Sequence, residues 1–259
     1  MSIRMIVTDL DGTLLNTKEE LPEGSADVVR RCKERGILFV VATARSEAST
    51  RKIADVLKPD AIITSGGAGA VCGDQVIYNA VFSEEEAESM IRKCAQDEKI
   101  AYIRVIGEKC DLTSNPAVKT DEMEYGHYQK TDFHEIPKQK VSKITICCQD
   151  AEYVRKMFEA EENCCVITSY SGQDQHKLSP AKATKEDALA EVARYFGVDF
   201  SEIMAFGDDT FDVNMLRLSG VGVAVGNAKE HVKEVADQIC GTNDELGVTR
   251  YLEEKLEEW

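Results

Sequence analysis

The sequence predicts an α/β protein, a doubly wound parallel sheet interrupted by an inserted α+β domain. Three observations predict it. Short apolar runs alternate with amphipathic stretches through residues 4–67, the same alternation returns from residue 186, and the segment between them mixes strands and helices without acidic strand ends.

Taken in order, "RMIVTDL" is a short apolar run closed by Gly12, a first strand. Residues 23–35 place Val28, Val29 and Cys32 on one helical stripe, and Gly36 marks the stop. "GILFVVATA" is a near-continuous β-branched and aromatic run, the pattern of a strand covered on both faces. "SEASTRKIADVL" reads as a helix, and "DAIITSGG" as a third strand running into glycines. Near the end, residues 186–196 carry Ala188, Leu189, Val192, Ala193 and Phe196 on one stripe before Gly197. "EIMAFGDD" and "GVGVAVGNA" read as further strands, and residues 228–237 and 244–257 as helices. In the middle, helices are predicted over 83–98 and 150–162, and strands over 101–107, 141–148, 164–171 and 174–180. The domain organisation expected is 1–82 with 182–259 as the core and 83–181 as the insert.

Composition narrows the function. With 31 basic and 47 acidic residues the formal charge is −16, which repels nucleic acid and anionic membranes at long range. A small anion remains an acceptable ligand if a metal or local cations offset that field. No apolar run approaches the ~18 residues of a membrane helix, and since residues 1–4 lead directly into the first strand no leader is expected. The nine cysteines include no C-x-x-C pair, which favours reduced, mostly buried thiols in a cytoplasmic protein over a redox or metal role.

Chemistry concentrates at strand ends, where open α/β sheets bind their ligands. Asp9 and Asp11 follow the first strand, Thr43 the second, and Asp208 with Asp209 the strand at 202–206; Asp212 lies one helical turn on, and Lys185 opens a helix. Converging carboxylates repel unless a hard cation joins them, and Mg²⁺ suits an all-oxygen set. Asp9 and Asp11, two apart, leave an extended chain on the same side. Asp208 and Asp212, four apart, share a face if a helix starts there. One carboxylate attacking phosphorus while another handles protons fits such a site. Thr184 and Asp187 form a capping pattern, so Lys185 sits at the positive end of a helix dipole, a broken local rule that hints at function. Other readings weigh less. The D-x-D-G turn departs from calcium-loop spacing, no Walker A motif is present, and "SGGAGAV" reads as a turn rather than a dinucleotide site. Asp209 alone is as well explained by a solvated loop.

In that order, "DLDGTLL" (9–15), "ATAR" (42–45), Lys185 and "GDDTFDVNML" (207–216) resemble the haloacid dehalogenase superfamily, and the insert with "VAVGNA" (223–228) resembles its Cof-type phosphatase branch. The resemblance implies a Rossmann-like core with an inserted cap, and a phosphatase acting on a small phosphorylated metabolite, a sugar phosphate above all. It implies Asp9 as nucleophile and Asp11 as the group that protonates the leaving alcohol and then activates water. Thr43, Gly12 and the backbone of Ala44 would meet the phosphate, Lys185 would neutralise it, and Arg45 occupies a further family position. Mg²⁺ would be held by Asp9, the Asp11 carbonyl and Asp208, with Asp212 supporting them. Cap residues facing the substrate would come from a set such as Arg104, Tyr125, His127, Tyr128, His176 and Lys177, each with a packing or surface role as the weightier reading. Phe211, Gly66 and Glu186 depart from the family pattern, where Asn, Asn and Gly are usual. A phosphosugar mutase and a catalytically weakened phosphate-binding regulator remain as alternatives.

Overall fold

A computed structural model describes residues 3–117, 128–161, 164–169 and 174–258. Two compact units make up the chain: residues 1–79 with 184–259, and residues 80–183. The first contains β1 (Met5–Thr8), α1 (Ser25–Glu34), β2 (Leu38–Ala42), α2 (Glu47–Leu57), β3 (Ala61–Thr64), β4 (Gly69–Cys72) and β5 (Gln75–Asn79). The insert follows with α3 (Glu84–Ala95), β6 (Tyr102–Gly107), β7 (Asp111–Thr113), β8 (Tyr128–Lys130), β9 (Val141–Cys147), α4 (Ala151–Met157), β10 (Cys165–Ser169) and β11 (Gln175–Pro180). The chain then returns to the first unit through α5 (Lys185–Phe196), β12 (Ile203–Gly207), α6 (Val213–Leu218), β13 (Val221–Ala224), α7 (Glu230–Lys233), β14 (Gln238–Ile239) and α8 (Gly247–Glu258).

The first unit's sheet runs β14-β13-β12-β1-β2-β3-β4-β5. The six strands from β14 to β3 are parallel, and β4 and β5 add an antiparallel edge. Every residue of β1 and β12 is buried, as parallel strands covered on both faces require. From β1 the chain winds outward through β2 to β3, then returns beside β1 and winds the other way, so β1 and β12 flank the reversal of strand order. Helix α1 buries Val28, Val29 and Cys32 and is followed by Gly36 at φ 79°, and α5 buries Ala188, Leu189, Val192 and Ala193 and stops at Gly197 at φ 64°. Both glycines supply the left-handed residue that ends a helix.

Several elements differ from expectation, among them β7 and β8, which lie where the sequence predicts no strand. The glycine-rich segment turns only over 65–68; from Gly69 it is strand β4, hairpinned to β5. Residues 228–237 hold only the short α7, and β14 pairs with β13 beyond it. Helix α4 stops at Met157 and gives way to a 3₁₀ turn over Glu159–Glu161.

The insert's sheet runs β10-β11-β9-β6-β7-β8, antiparallel except for the β7–β8 pair. One face packs Ile103, Val105, Ile144, Ile146 and Leu178 into a core with Met90 and Ile91 of α3 and Val154 of α4. Ser83 and Glu86 close a reciprocal capping box at the start of α3. All nine cysteines are free thiols; Cys32, Cys94, Cys148 and Cys165 are buried and the other five half-buried. Among the described residues, no helix is long and apolar enough to cross a membrane.

Candidate active site

β1 ends at Thr8, and the Asp9 N–H extends its ladder by donating to the Phe206 carbonyl of β12. The chain then turns sharply. The Leu10 carbonyl accepts from the N–H groups of both Thr13 and Leu15, with Leu10 and Leu15 buried beneath. Gly12 adopts φ 78°, and a Cβ there would stand 2.7 Å from Oδ2 of Asp208. Glycine is therefore required twice, for the backbone and for the carboxylate beside it.

That turn separates the two acids of "DLDG". Asp9 is buried, whereas the Asp11 side chain is 45% exposed and paired with Arg45, whose Nε donates to Oδ2 at 2.8 Å. Extended alternation placed both carboxylates on one side; residues 10–12 are not extended, and the alternation does not survive the turn. Arg45 also reaches Glu19 at 3.0 Å, so its guanidinium is occupied by carboxylates.

β12 delivers the second group of acids. The Asp208 and Asp209 N–H groups both donate to Asp212 Oδ2 at 3.0 Å, and a 3₁₀ turn over Thr210–Asp212, capped by Asp209, carries Asp212 back toward the strand end. The expected α-helical face is thus a tighter turn with the same outcome, because Asp208 and Asp212 meet. Asp208 Oδ1 accepts from Thr13 Oγ1 at 2.6 Å, and Asp209 pairs with Lys229 at 2.8 Å.

Lys185 joins the two groups. It follows the N-cap Thr184 and is almost wholly buried, and its Nζ donates to Asp9 Oδ1 at 2.6 Å and Asp212 Oδ1 at 2.7 Å. Its position in the first turn, unfavourable to the dipole, is offset by these two carboxylates. One carboxylate oxygen from each of Asp9, Asp208 and Asp212 lies within 4.8 Å of the others. Burial, reinforced by Asp212 and Asp208 and opposed by Lys185, pushes the Asp9 carboxyl up to about 7. Burial, with Asp212 and Asp209 adding repulsion against the Thr13 hydrogen bond, pushes Asp208 up to about 6. For Lys185, burial works downward but Asp9 and Asp212 outweigh it and hold the amine above its usual value.

Thr43 is buried at the end of β2, the strand beside β1. Its Oγ1 accepts from the Arg45 N–H at 3.1 Å, its carbonyl accepts from Gly66 N–H at 3.0 Å, and Ala44 is exposed next to it. The structure thus joins Asp9, Asp208, Asp212 and Lys185 directly, holds Gly12 against Asp208, and leaves the Asp11 carboxylate on Arg45 outside the cluster. His176 is a buried core residue bonded to Ser169 Oγ and the Cys148 carbonyl. Tyr125 and His127, and the side chain of Tyr128, lie outside the described residues.

Three contributors had no role in the sequence reading. Thr13 anchors Asp208, although it stands inside "DLDGTLL". Asn227, inside "VAVGNA", donates to the Gly12 carbonyl at 2.7 Å and accepts from Asn243 N–H at 2.9 Å, tying the acidic turn to the far end of the chain. Gly67 has φ 101°, and a Cβ there would fall 2.0 Å from the Thr184 carbonyl, so the start of α5 approaches only because this side chain is missing. The departures are peripheral: Phe211 is 62% exposed, Gly66 has φ 76° with no heavy atom near a Cβ position, and Glu186 accepts from Asn214 Nδ2 at 2.7 Å.

Comparison with known proteins assigns the family. A family model described as haloacid dehalogenase-like hydrolase matches residues 6–252. The chain belongs to this family. The 5-amino-6-(5-phospho-D-ribitylamino)uracil phosphatase YcsE of Bacillus subtilis is 27% identical over 96% of this chain and 94% of its own. The chain also matches the chloroplastic endoribonuclease YBEY of Arabidopsis thaliana at 27% identity, but spans only 45% of that longer protein. A haloacid dehalogenase-like hydrolase from Bacteroides thetaiotaomicron superposes with a TM-score of 0.78 at 26% identity, covering 98% of this chain and 100% of that one. A subclass IIB sugar phosphatase of the same superfamily superposes with a TM-score of 0.75 at 25% identity, covering 97% and 98%. With phosphatases among its relatives in both sequence and structure, the haloacid dehalogenase-like chain is a phosphoric monoester hydrolase. Such hydrolases work with a divalent metal, and a cluster offering only carboxylate oxygens fits a hard divalent cation better than a thiophilic one.

Proposed function

We propose that the protein hydrolyses a small phosphomonoester, a sugar phosphate, in two steps through an aspartyl-phosphate on Asp9. The observation that carries the reading is the buried Asp9–Lys185–Asp212 arrangement with Asp208 beside it, assembled from three distant segments. Three carboxylates and one amine make a site that is negatively charged until a cation enters. Asp9, Asp208 and the Asp11 carbonyl would hold Mg²⁺, with Asp212 fixing the loop; when bound, it supplies positive charge against the phosphoryl oxygens.

In the first step an Asp9 carboxylate oxygen attacks phosphorus, the bond to the ester oxygen breaks, and the departing alkoxide takes a proton from Asp11. In the second, water gives its proton to Asp11 and attacks phosphorus, freeing phosphate and restoring Asp9. Lys185 holds Asp9 in place and neutralises the incoming group, while Thr43, Gly12 and the Ala44 backbone take the phosphoryl oxygens at the strand ends. In its two-pronged contact with Arg45 the Asp11 carboxylate only accepts, so to carry these protons Asp11 must swing off Arg45 toward the ester oxygen. The insert acts as the cap that chooses the leaving group. The sugar-phosphate class is supported by the sugar phosphatase and the ribitylaminouracil phosphatase among the relatives.

The test is a panel of phosphorylated metabolites with Mg²⁺, ranked by kcat/KM. Phosphate release should depend on the metal and fall at least ~10³-fold in Asp9→Asn while the circular dichroism spectrum is retained. No release from any member, or unchanged turnover in Asp9→Asn, overturns the reading.

A further inference from the structure

The insert's sheet has two unlike faces. Ile103, Val105, Ile144, Ile146, His176 and Leu178 are buried on one. The residues between them point the other way. Strand register sets Thr168, Lys177, Thr145 and Arg104 side by side across β10, β11, β9 and β6. Lys143, two residues before Thr145 on β9, shares their face. Strands lie about 4.8 Å apart, so Lys177 and Arg104 flank Thr145 at a backbone separation of roughly 10 Å. Long side chains span that distance easily.

Among the described residues one carboxylate, Asp111, acts on this row, through Lys143 alone and without forming an ion pair. Arg104 Nε is buried without a hydrogen-bond partner, and its guanidinium lies 5.4 Å from the Tyr102 ring centroid. Among the described residues neither lysine nor Arg104 enters an ion pair. Burial, with Lys143 adding repulsion, brings Lys177 down to about 8. Burial lowers Lys143 as well, against the pull of Asp111, whose own carboxylate accepts from Gly107 N–H at 3.2 Å. In a chain of formal charge −16, carboxylates are abundant, yet among the described residues three half-buried cations share this face with only Asp111 near, and none of them is in an ion pair. A desolvated guanidinium nitrogen and two mutually repelling ammonium groups are costly alone and favourable around an anion.

We propose that this row is an anion-binding face, taking a phosphate or carboxylate group. The binding does not depend on the phosphatase reading. Lysine-labelled full-length protein is titrated at constant ionic strength with inorganic phosphate and, separately, with malonate, and followed by NMR. The Lys143 and Lys177 signals, assigned through Lys143→Gln and Lys177→Gln, should shift saturably, with the exposed Lys138 as the control for bulk ionic effects. Saturation by phosphate alone, or by malonate as well, identifies which anions the face accepts. Shifts at both lysines that track Lys138 overturn the binding.

Discussion

The two sheets put charge to use in opposite ways. In the first unit β1 and β12 are buried along their whole length, leaving no strand-borne side chain for a ligand; Asp9 and Asp208 appear only where the strands stop. In the insert, β6, β9 and β11 alternate between buried and half-buried residues, and Lys143, Lys177 and Arg104 lie along the strands themselves. The comparison teaches that covering a sheet on both faces confines chemistry to its rim, while an open face spreads it across the strands. It also separates two kinds of lysine. Lys185 is wedged between carboxylates, whereas Lys177 has a second lysine for its neighbour.

The sharpest way to break this contrast is to remove the amine of each. Lys185→Met strands Asp9 and Asp212 as uncompensated buried charges, and should cost about 3–5 kcal/mol in urea unfolding. Millimolar Mg²⁺ should restore part of the loss. Next, Gly67→Ala should destabilise by about 2–3 kcal/mol, since it forces a left-handed residue against the Thr184 backbone; the same melt reads it. Taken per group and per pH unit, a pH series gives a smaller effect. Asp9 and Asp208 are raised above the ordinary carboxyl value, so between about pH 4 and 7 the folded chain keeps protons that the unfolded chain has released. Stability without metal should therefore fall as pH rises through that window, by no more than about 1.4 kcal/mol per pH unit for each group. Asp9→Asn should flatten the upper part of the slope. Smallest of all, Lys177→Met should change stability by only ~0.5 kcal/mol, since no partner is lost and one repulsion is relieved. A loss as large as that of Lys185→Met would erase the distinction.

The long elements could be read from the sequence because their patterns are strong. Gly36 and Gly197 mark the ends of α1 and α5, and the uninterrupted apolar runs mark β1, β2 and β12. The β4–β5 hairpin and β14 escaped because they are short, partly exposed and poor in periodicity. Asp9, Asp208 and Lys185 could be singled out because acids at strand ends and a lysine at a helix start each break a local preference. The course of Asp11 could not, since it depends on a turn fixed by Leu10, Leu15 and a glycine pressed against Asp208. Nor could the role of Asn227, whose partner Gly12 is 215 residues away. Register decided the rest: nothing linear reveals that Lys177 and Arg104 flank the same threonine.

The pairing of β1 with β12 also bears on how the polypeptide is made. As the ribosome releases the chain, β1 finds β2 early, but its other hydrogen-bonding edge waits for residues 203–207, and the counter-charge of Asp9 waits for residue 185. Until then a mostly apolar strand has an open side, the kind of surface that invites pairing with a neighbouring nascent chain. Truncation before β12 should therefore yield aggregates rather than a smaller working enzyme.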